Sequence, residues 1–143
     1  MKYFYKIQDG KLIRGSGTKI PDGMTEYTKG SEPEEMIDIL NAEAVAKAEK
    51  EYMDSMIKTV EGHVQEQVSI YNIDNKVMFK DVDSCAKYIT VDTYAHVDFC
   101  KSMMTFNADV WTKAREVEQD VIDGNIDRPT IEEFSDMLPV YGE

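Results

Sequence analysis

The strongest constraint on this chain is an apolar stripe that repeats every three or four residues between positions 36 and 71. This spacing indicates an amphipathic helix, because about 3.6 residues complete one helical turn. The opposite positions carry mostly charged side chains. The stripe consists of Met36, Ile37, Leu40, Ala44, Ala48, Tyr52, Met56, Val60, Val64, Val68 and Tyr71. We therefore predict one long helix over residues 34–71, about 57 Å long at about 1.5 Å per residue.

Signals for the start of this helix lie just before the stripe. Ser31 can accept hydrogen bonds from the first free N–H groups, and Pro33 suits a first turn. The carboxylates of Glu34 and Glu35 favour the positive end of the helix dipole. A helix of this length is too long for the rest of a small domain to cover. Either it turns sharply near Gly62 into a closed monomeric bundle, or part of its stripe meets a neighbouring subunit.

The second alternative predicts a protein–protein interface on the helix. Uncovered apolar residues in a row form a patch that monomers usually avoid, and a cyclic homo-oligomer buries such a patch by symmetry. The predicted interaction residues are Leu40, Tyr52, Met56, Val60, Val64 and Val68. The basic N-terminal segment is then expected to dock on the next protein in the assembly.

A β-hairpin is predicted before the long helix. Aromatic and β-branched residues fill positions 3–7, and Asp9-Gly10 favours a tight turn. Residues 11–14 form the expected return strand, which the Gly-Ser-Gly-Thr run at 15–18 is expected to end. Residues 24–28 form a possible third strand. Residues 1–30 are accordingly predicted to be a hairpin arm or small sheet.

Three further helices are predicted after the long one. Residues 72–75 are expected to interrupt the helical pattern, and Asp83 or Ser84 to cap a short helix. Asp92 or Thr93 is expected to cap a helix that ends near 123, before a left-handed Gly124. A capping box at Thr130 and Glu133, typical of a helix start, opens the last one. The predicted fold is α+β and mostly α, with residues 31–143 as a helical domain.

Charge is distributed unevenly along the chain. The net charge is −12, yet residues 1–30 carry six basic and three acidic groups, which leaves −15 for the remainder. An acidic body repels phosphates, so nucleic acid is not expected as a partner. No apolar run is long enough to span a bilayer, and the N-terminus lacks a signal-peptide core. These features predict no membrane partner and a location in a cytoplasm.

The residues that most often perform catalysis or bind metals are sparse. His63 is expected to be a solvated helix residue, and His96 lies one turn from Asp92 and from Cys100. One helix face can hold these last three, as metal ligands or as a hydrogen-bonded patch. A zinc site needs three or four converging ligands, so we predict no metal, no cofactor and no enzymatic activity.

Several other motifs favour structural roles over chemistry. The acid pairs at 34–35 and 132–133 lie at helix starts, where the dipole explains them. The glycines at 15 and 17 lack the lysine and the following helix of a phosphate-binding loop. Cys85 and Cys100 are expected to be free thiols that pack in the core. Trp111 is expected to be the buried centre of that core.

The second half of the chain contains Tyr94-Ala95-His96, Ala108 with Val110-Trp111, and closing residues 124–141 in which a glycine precedes Pro-Thr, acids, Leu-Pro and an aromatic. In these residues it resembles a family of small tailed-bacteriophage proteins encoded among tail and tail-fibre genes. The aromatic N-terminal strand with its Asp-Gly turn is similar to several tail-fibre assembly proteins. The resemblance implies no catalytic residues.

Two classes of function are therefore expected to compete. The first is a phage virion or assembly protein (a tail, fibre, neck or capsid accessory component, or its chaperone) that binds other phage structural proteins. Its location would be the host cytoplasm during assembly, and the virion afterwards if it is a structural component. The second is an acidic inhibitor of a host enzyme or defence complex, including a nucleic-acid mimic. An exposed apolar stripe favours the first class, and a uniformly acidic face favours the second.

Overall fold

The structure is a computed structural model that describes residues 1–142. Three strands, β1 (Lys2–Gln8), β2 (Lys11–Gly17) and β3 (Thr25–Tyr27), precede four helices. The helices are α1 (Glu34–Asn75), α2 (Val82–Ala86), α3 (Val97–Ile122) and α4 (Ile131–Met137). Helices make up 56% of the chain, so the predicted α+β, mostly α fold is confirmed. The chain divides into two compact units, Met1–Glu51 and Tyr52–Glu143. None of the helices among residues 1–142 is long and apolar enough to cross a membrane.

The first unit contains an antiparallel sheet of order β2-β1-β3. Asp9 and Gly10 adopt φ angles of 53° and 73°. A two-residue hairpin turn of this kind requires positive φ at both central residues. The predicted end of β2 at residue 14 is wrong, because this strand continues through Gly15 to Gly17. The ring of Phe4 lies so close to Gly15 that an added Cβ would come within 2.7 Å of it. Gly15 thus allows an aromatic ring to cover the strand.

The sheet contacts the start of α1 through one face of β1. The buried Tyr5 donates a hydrogen bond from its hydroxyl to the carboxylate of Glu35. Met36, one residue further along, is fully buried. Residues 41–51 of the same helix are exposed at every position. This unit therefore has a small interior around Tyr5 and Met36, followed by a solvated stretch of helix.

Helix α1 is continuous from Glu34 to Asn75, which confirms the predicted long helix. Gly62 causes no break, so the alternative with a sharp turn at this glycine is wrong. The predicted interruption at residues 72–75 is also wrong. Asn72 accepts a hydrogen bond from the N–H of Phe79 at 2.9 Å and donates one to its carbonyl at 2.7 Å. The side chain of Asn72 therefore ties the loop that follows to the last turn of the helix.

The core of the second unit lies between α1 and α3. Ring contacts pair His63 with Phe106 and Tyr71 with Phe99, so the two helices run antiparallel. Phe134 from α4 is fully buried in the same cluster. The buried residues of this core are Met56, Val60, Val64, Val68, Phe79, Cys85, Phe99, Cys100, Met103, Phe106, Val110, Ala114, Val117, Phe134 and Leu138.

The caps of α2 and α3 differ from the sequence prediction. Asp81 caps α2 by accepting hydrogen bonds from the N–H and hydroxyl of Ser84. Helix α3 starts after His96, which makes no side-chain cap. Backbone hydrogen bonds link residue 88 to 85, 91 to 88, 94 to 91 and 97 to 94, so this stretch is a series of tight turns. Positions 92 and 93, where the sequence predicts a cap of α3, lie within these turns. The predicted capping box of Thr130 and Glu133 at α4 is confirmed, as is a positive φ of 75° at Gly124.

The C-terminal segment is fastened to α1 and α3 by polar contacts. Tyr52 donates from its hydroxyl to the carbonyl of Pro129 at 2.6 Å, and the Arg128 guanidinium stacks on the Tyr52 ring. Arg128 also pairs with Glu118 at 3.0 Å. Further along, the hydroxyls of Tyr141 and Ser102 lie 2.6 Å apart. These contacts hold α4 against the core.

Candidate docking groove

The two histidines have structural partners. His63 Nε2 lies 2.6 Å from the carbonyl oxygen of Pro139, so the expectation of a solvated His63 is wrong. His96 Nδ1 lies 2.6 Å from the Tyr71 hydroxyl. Asp92 is exposed and contacts Lys101 at 3.4 Å. Among residues 1–142, no three His, Cys, Asp or Glu side chains are grouped to hold a metal.

The two cysteines are fully buried free thiols, as predicted. Burial, and to a smaller extent the neighbouring Cys100 thiol, raises the pKa of Cys85 to about 12. Burial likewise raises the pKa of Cys100. Because the nucleophile is the thiolate, both side chains stay protonated and unreactive near neutral pH. The two cysteines therefore pack in the core and do not act as nucleophiles at the protein surface.

A concave surface of the second unit lies between α1 and α3. Two depressions of about 330 Å³ and about 560 Å³ share Trp111 as a common wall. We name the two together the α1–α3 groove. Trp111 is half-buried, so the prediction that it forms the buried centre of the core is wrong. Its position instead places the only tryptophan of the chain at the junction of the two depressions.

The smaller depression is the apolar half of the groove. Ile57 and Ile122 stand on its two walls and are 41% and 68% exposed. Met53 and Trp111 add further apolar surface, and Arg115 and Glu118 line the depression with opposite charges. Large exposed apolar side chains gathered around a cavity are typical of protein-binding sites, whereas single ones are normal on any surface.

The larger depression is the acidic half of the groove. Glu61, Asp81 and Asp83 line it together with one base, Lys58. The N–H and hydroxyl of Ser84 hold the pKa of Asp81 below its usual range, so this carboxylate is charged at neutral pH. Three acids against one base give this half a negative potential. The α1–α3 groove is therefore apolar at one end and negative at the other.

Gly62 also lines the acidic half and is exposed. A Cβ added here would have no heavy atom within 4 Å, and the backbone is helical without a positive φ. Nothing in the fold of this unit therefore requires glycine at position 62. A glycine inside a helix costs about 1 kcal/mol relative to alanine. Its effect on the surface is to leave α1 without a side chain at the rim of the groove.

The six predicted interaction residues fall into different environments. Met56, Val60, Val64 and Val68 are buried in the core of the second unit, so the chain itself covers them. Met56 and Val60 form the floor of the apolar half, and Val64 lines the acidic half. Tyr52 is half-buried beneath Arg128. Leu40 is half-buried in the first unit.

Sequence reasoning missed the residues that form the walls of the groove. Ile57 directly follows a stripe position, and Ile122 directly follows Val121 of the α3 stripe. Both lie one residue outside the periodic pattern, which therefore does not indicate them. An isoleucine at the edge of an apolar stripe is the only signal in the sequence that could have indicated these walls.

Comparison of the chain with protein families, with curated proteins and with solved structures found no match.

Proposed function

We propose that this protein is a non-enzymatic component of a tailed-bacteriophage particle, or of its assembly, that acts by binding other phage structural proteins. The observation that carries the protein-binding part is the α1–α3 groove, where Ile57, Trp111 and Ile122 line one apolar surface. The phage setting rests on the resemblance of residues 71–143. Burial of the groove by a partner would remove several large apolar side chains from water, each worth about 1.5–3 kcal/mol when fully buried.

Deletion of the reading frame from the phage genome tests this proposal. We expect particles that lack a tail, fibre, neck or accessory part in electron micrographs, because an assembly step is lost. Supply of the wild-type protein from a plasmid should restore the particles. Supply of the Ile57→Gln variant should not restore them, whereas Ile73→Gln should, since Ile73 is 78% exposed on the same helix and does not line the groove. Intact, infectious particles from the deletion would overturn the proposal.

The alternative function is an acidic inhibitor of a host enzyme or defence complex. Its support is the balance of −15 over residues 31–143, together with the acids of the groove. This alternative predicts normal particles from the deletion and poor growth that recovers in a host lacking the target enzyme. The two functions therefore give opposite results for particle structure.

Self-association through α1 belongs to the same proposal. The buried positions from Met56 to Val68 are already covered, so the accessible part of the predicted interface is its first half, around Leu40. We expect light scattering at micromolar concentration to give a mass above the 16.4 kDa of one chain. Leu40→Glu should lower that mass, whereas Ile73→Glu should not. A 16.4 kDa particle at all concentrations would contradict self-association and leave binding to other proteins unaffected.

A further inference from the structure

We infer that the α1–α3 groove receives an amphipathic helix of another protein, with apolar side chains in the apolar half and a basic end over the acidic half. This inference rests on the proposed protein-binding function and specifies the chemistry of the partner. Three features of the groove carry it: its length, its charge asymmetry and the glycine at its rim.

The length of the groove suits a short helix. Along α1 the lining residues extend from Met53 to Gln65, which at about 1.5 Å per residue corresponds to about 18 Å. A helix of about 12 residues has this length. Its apolar face would present side chains at i, i+3, i+4 and i+7, and these would meet Ile57, Trp111 and Ile122.

The charges of the groove set the direction of the bound helix. Glu61, Asp81 and Asp83 line the acidic half with one base, whereas the apolar half is lined by one base and one acid, Arg115 and Glu118. Lysine or arginine side chains at one end of the partner would therefore face an excess of carboxylates over the acidic half and balanced charges over the apolar half. Complementary charges of this kind fix orientation and accelerate association. A second copy of this chain fits less well, since its basic excess lies in the N-terminal segment 1–30, which contains strands and no helix.

The exposed Gly62 favours a helix that approaches α1 closely. A side chain at this position would stand at the rim, where the partner enters the acidic half. Glycine removes that obstacle, and backbone can then approach backbone. The unit does not need the glycine for its own folding, because the helix is regular there and the space around it is open.

A synthetic peptide tests the inference on the full chain. The probe has about 12 residues of leucine, alanine and lysine, with leucines on one helical face, lysines at one end and no tryptophan. Binding should shift the emission of Trp111, the only tryptophan of the protein. A control peptide of the same composition with scrambled leucines measures attraction between opposite charges alone. We expect the amphipathic peptide to bind at least about tenfold more tightly than the control.

Variants of the groove and matched controls complete the test. Gly62→Leu introduces a good helix former and should weaken peptide binding at least about tenfold, whereas Ala48→Leu adds bulk to an exposed site outside the groove and should not. Glu61→Gln with Asp83→Asn should weaken binding and reduce its dependence on salt, since fewer ionic contacts remain. The control for this charge change is Glu43→Gln with Asp38→Asn.

Three results would overturn the inference. The first is equal binding of the amphipathic and scrambled peptides, and the second is unchanged binding to Gly62→Leu. The third is a Trp111 shift that depends on protein concentration without peptide, which would assign the groove to a second copy. None of these results decides the particle phenotype of the gene deletion, so failure of this inference and failure of the proposed function are distinguishable.

Discussion

Replacement of Gly62 by alanine should stabilise the second unit by about 1 kcal/mol. Glycine inside a helix is less favourable than alanine by about this amount, because its unfolded chain has more freedom to lose. The structure adds no opposing cost, since a Cβ at Gly62 has no heavy atom within 4 Å and the residue has no positive φ. The full propensity difference should therefore appear in the free energy of unfolding.

Urea unfolding followed by Trp111 fluorescence measures this change in the unit that contains Gly62. With a slope of about 2 kcal/mol per molar urea, the midpoint should rise by about 0.5 M. In a thermal scan the midpoint should rise by about 3–4 °C for a chain of this size. The slope should stay constant, because the surface exposed on unfolding does not change.

Two control substitutions make the result specific to a helical glycine. Gly124→Ala makes the same chemical change at a φ of 75°, where a side chain is strained, and should lose about 1–2 kcal/mol. Ala108→Gly, at an exposed site inside α3, should lose about 1 kcal/mol. A neutral or destabilising Gly62→Ala would refute the reasoning, since it would mean that α1 is broken at Gly62 or that the added methyl group meets another side chain.

Three other substitutions test the core and its helix caps. Phe134→Ala should cost about 3–5 kcal/mol in urea unfolding, because the ring is fully buried; a loss below 1 kcal/mol would contradict its place in the core. Thr130→Ala should cost about 1 kcal/mol through loss of the capping box, whereas exposed Thr112→Ala should not. Between about pH 9 and 12 the wild-type protein should lose more stability than Cys85→Ala. The raised pKa keeps the folded thiol neutral while the unfolded thiol ionises, so its contribution is complete below pH 9 and falls as pH rises. Parallel pH curves for the two proteins would refute this.

Local chemistry made several elements predictable from the sequence. The Asp9-Gly10 turn and the capping box at Thr130 need only their own side chains and backbone, and the structure contains both. The long stripe likewise predicted α1, because one periodic face is enough to define a helix. Burial of Cys85 and Cys100 followed from the low polarity of the thiol.

Contacts with a residue outside the element concerned explain three of the predictions that were wrong. The glycines of β2 continue the strand because Phe4 from β1 covers Gly15. Residues 72–75 stay helical because the side-chain amide of Asn72 forms hydrogen bonds with the backbone N–H and carbonyl of Phe79. His63 Nε2 lies within hydrogen-bond distance of the carbonyl oxygen of Pro139, near the end of the chain. The partner of His63 lies 76 residues away, beyond any local window of sequence. The partners of Gly15 and Asn72 are nearer along the chain, yet propensity and periodicity indicate neither contact.

The α1–α3 groove was the least predictable feature, because periodicity identifies apolar faces without showing which faces are covered. Part of the α1 stripe is predicted to meet a neighbouring subunit, yet α3 covers it from Met56 to Val68 and leaves Ile57 at the margin. Trp111 stays half-buried beside this contact, although tryptophan in mid-stripe usually indicates the centre of a core.

Two costs to folding meet at this groove. Gly62 weakens helix α1 by about 1 kcal/mol where the fold allows alanine. Ile57 and Ile122 stay 41% and 68% exposed, so each lacks part of the roughly 1.5–3 kcal/mol that full burial of such a side chain is worth. Neither cost is recovered within the second unit; Gly62 lines the acidic half of the groove, and the two isoleucines line the apolar half. Places where a sequence departs from the rules of its own fold without local compensation are typically functional. A bound helix would cover the exposed parts of the isoleucines and fill the space that Gly62 leaves open.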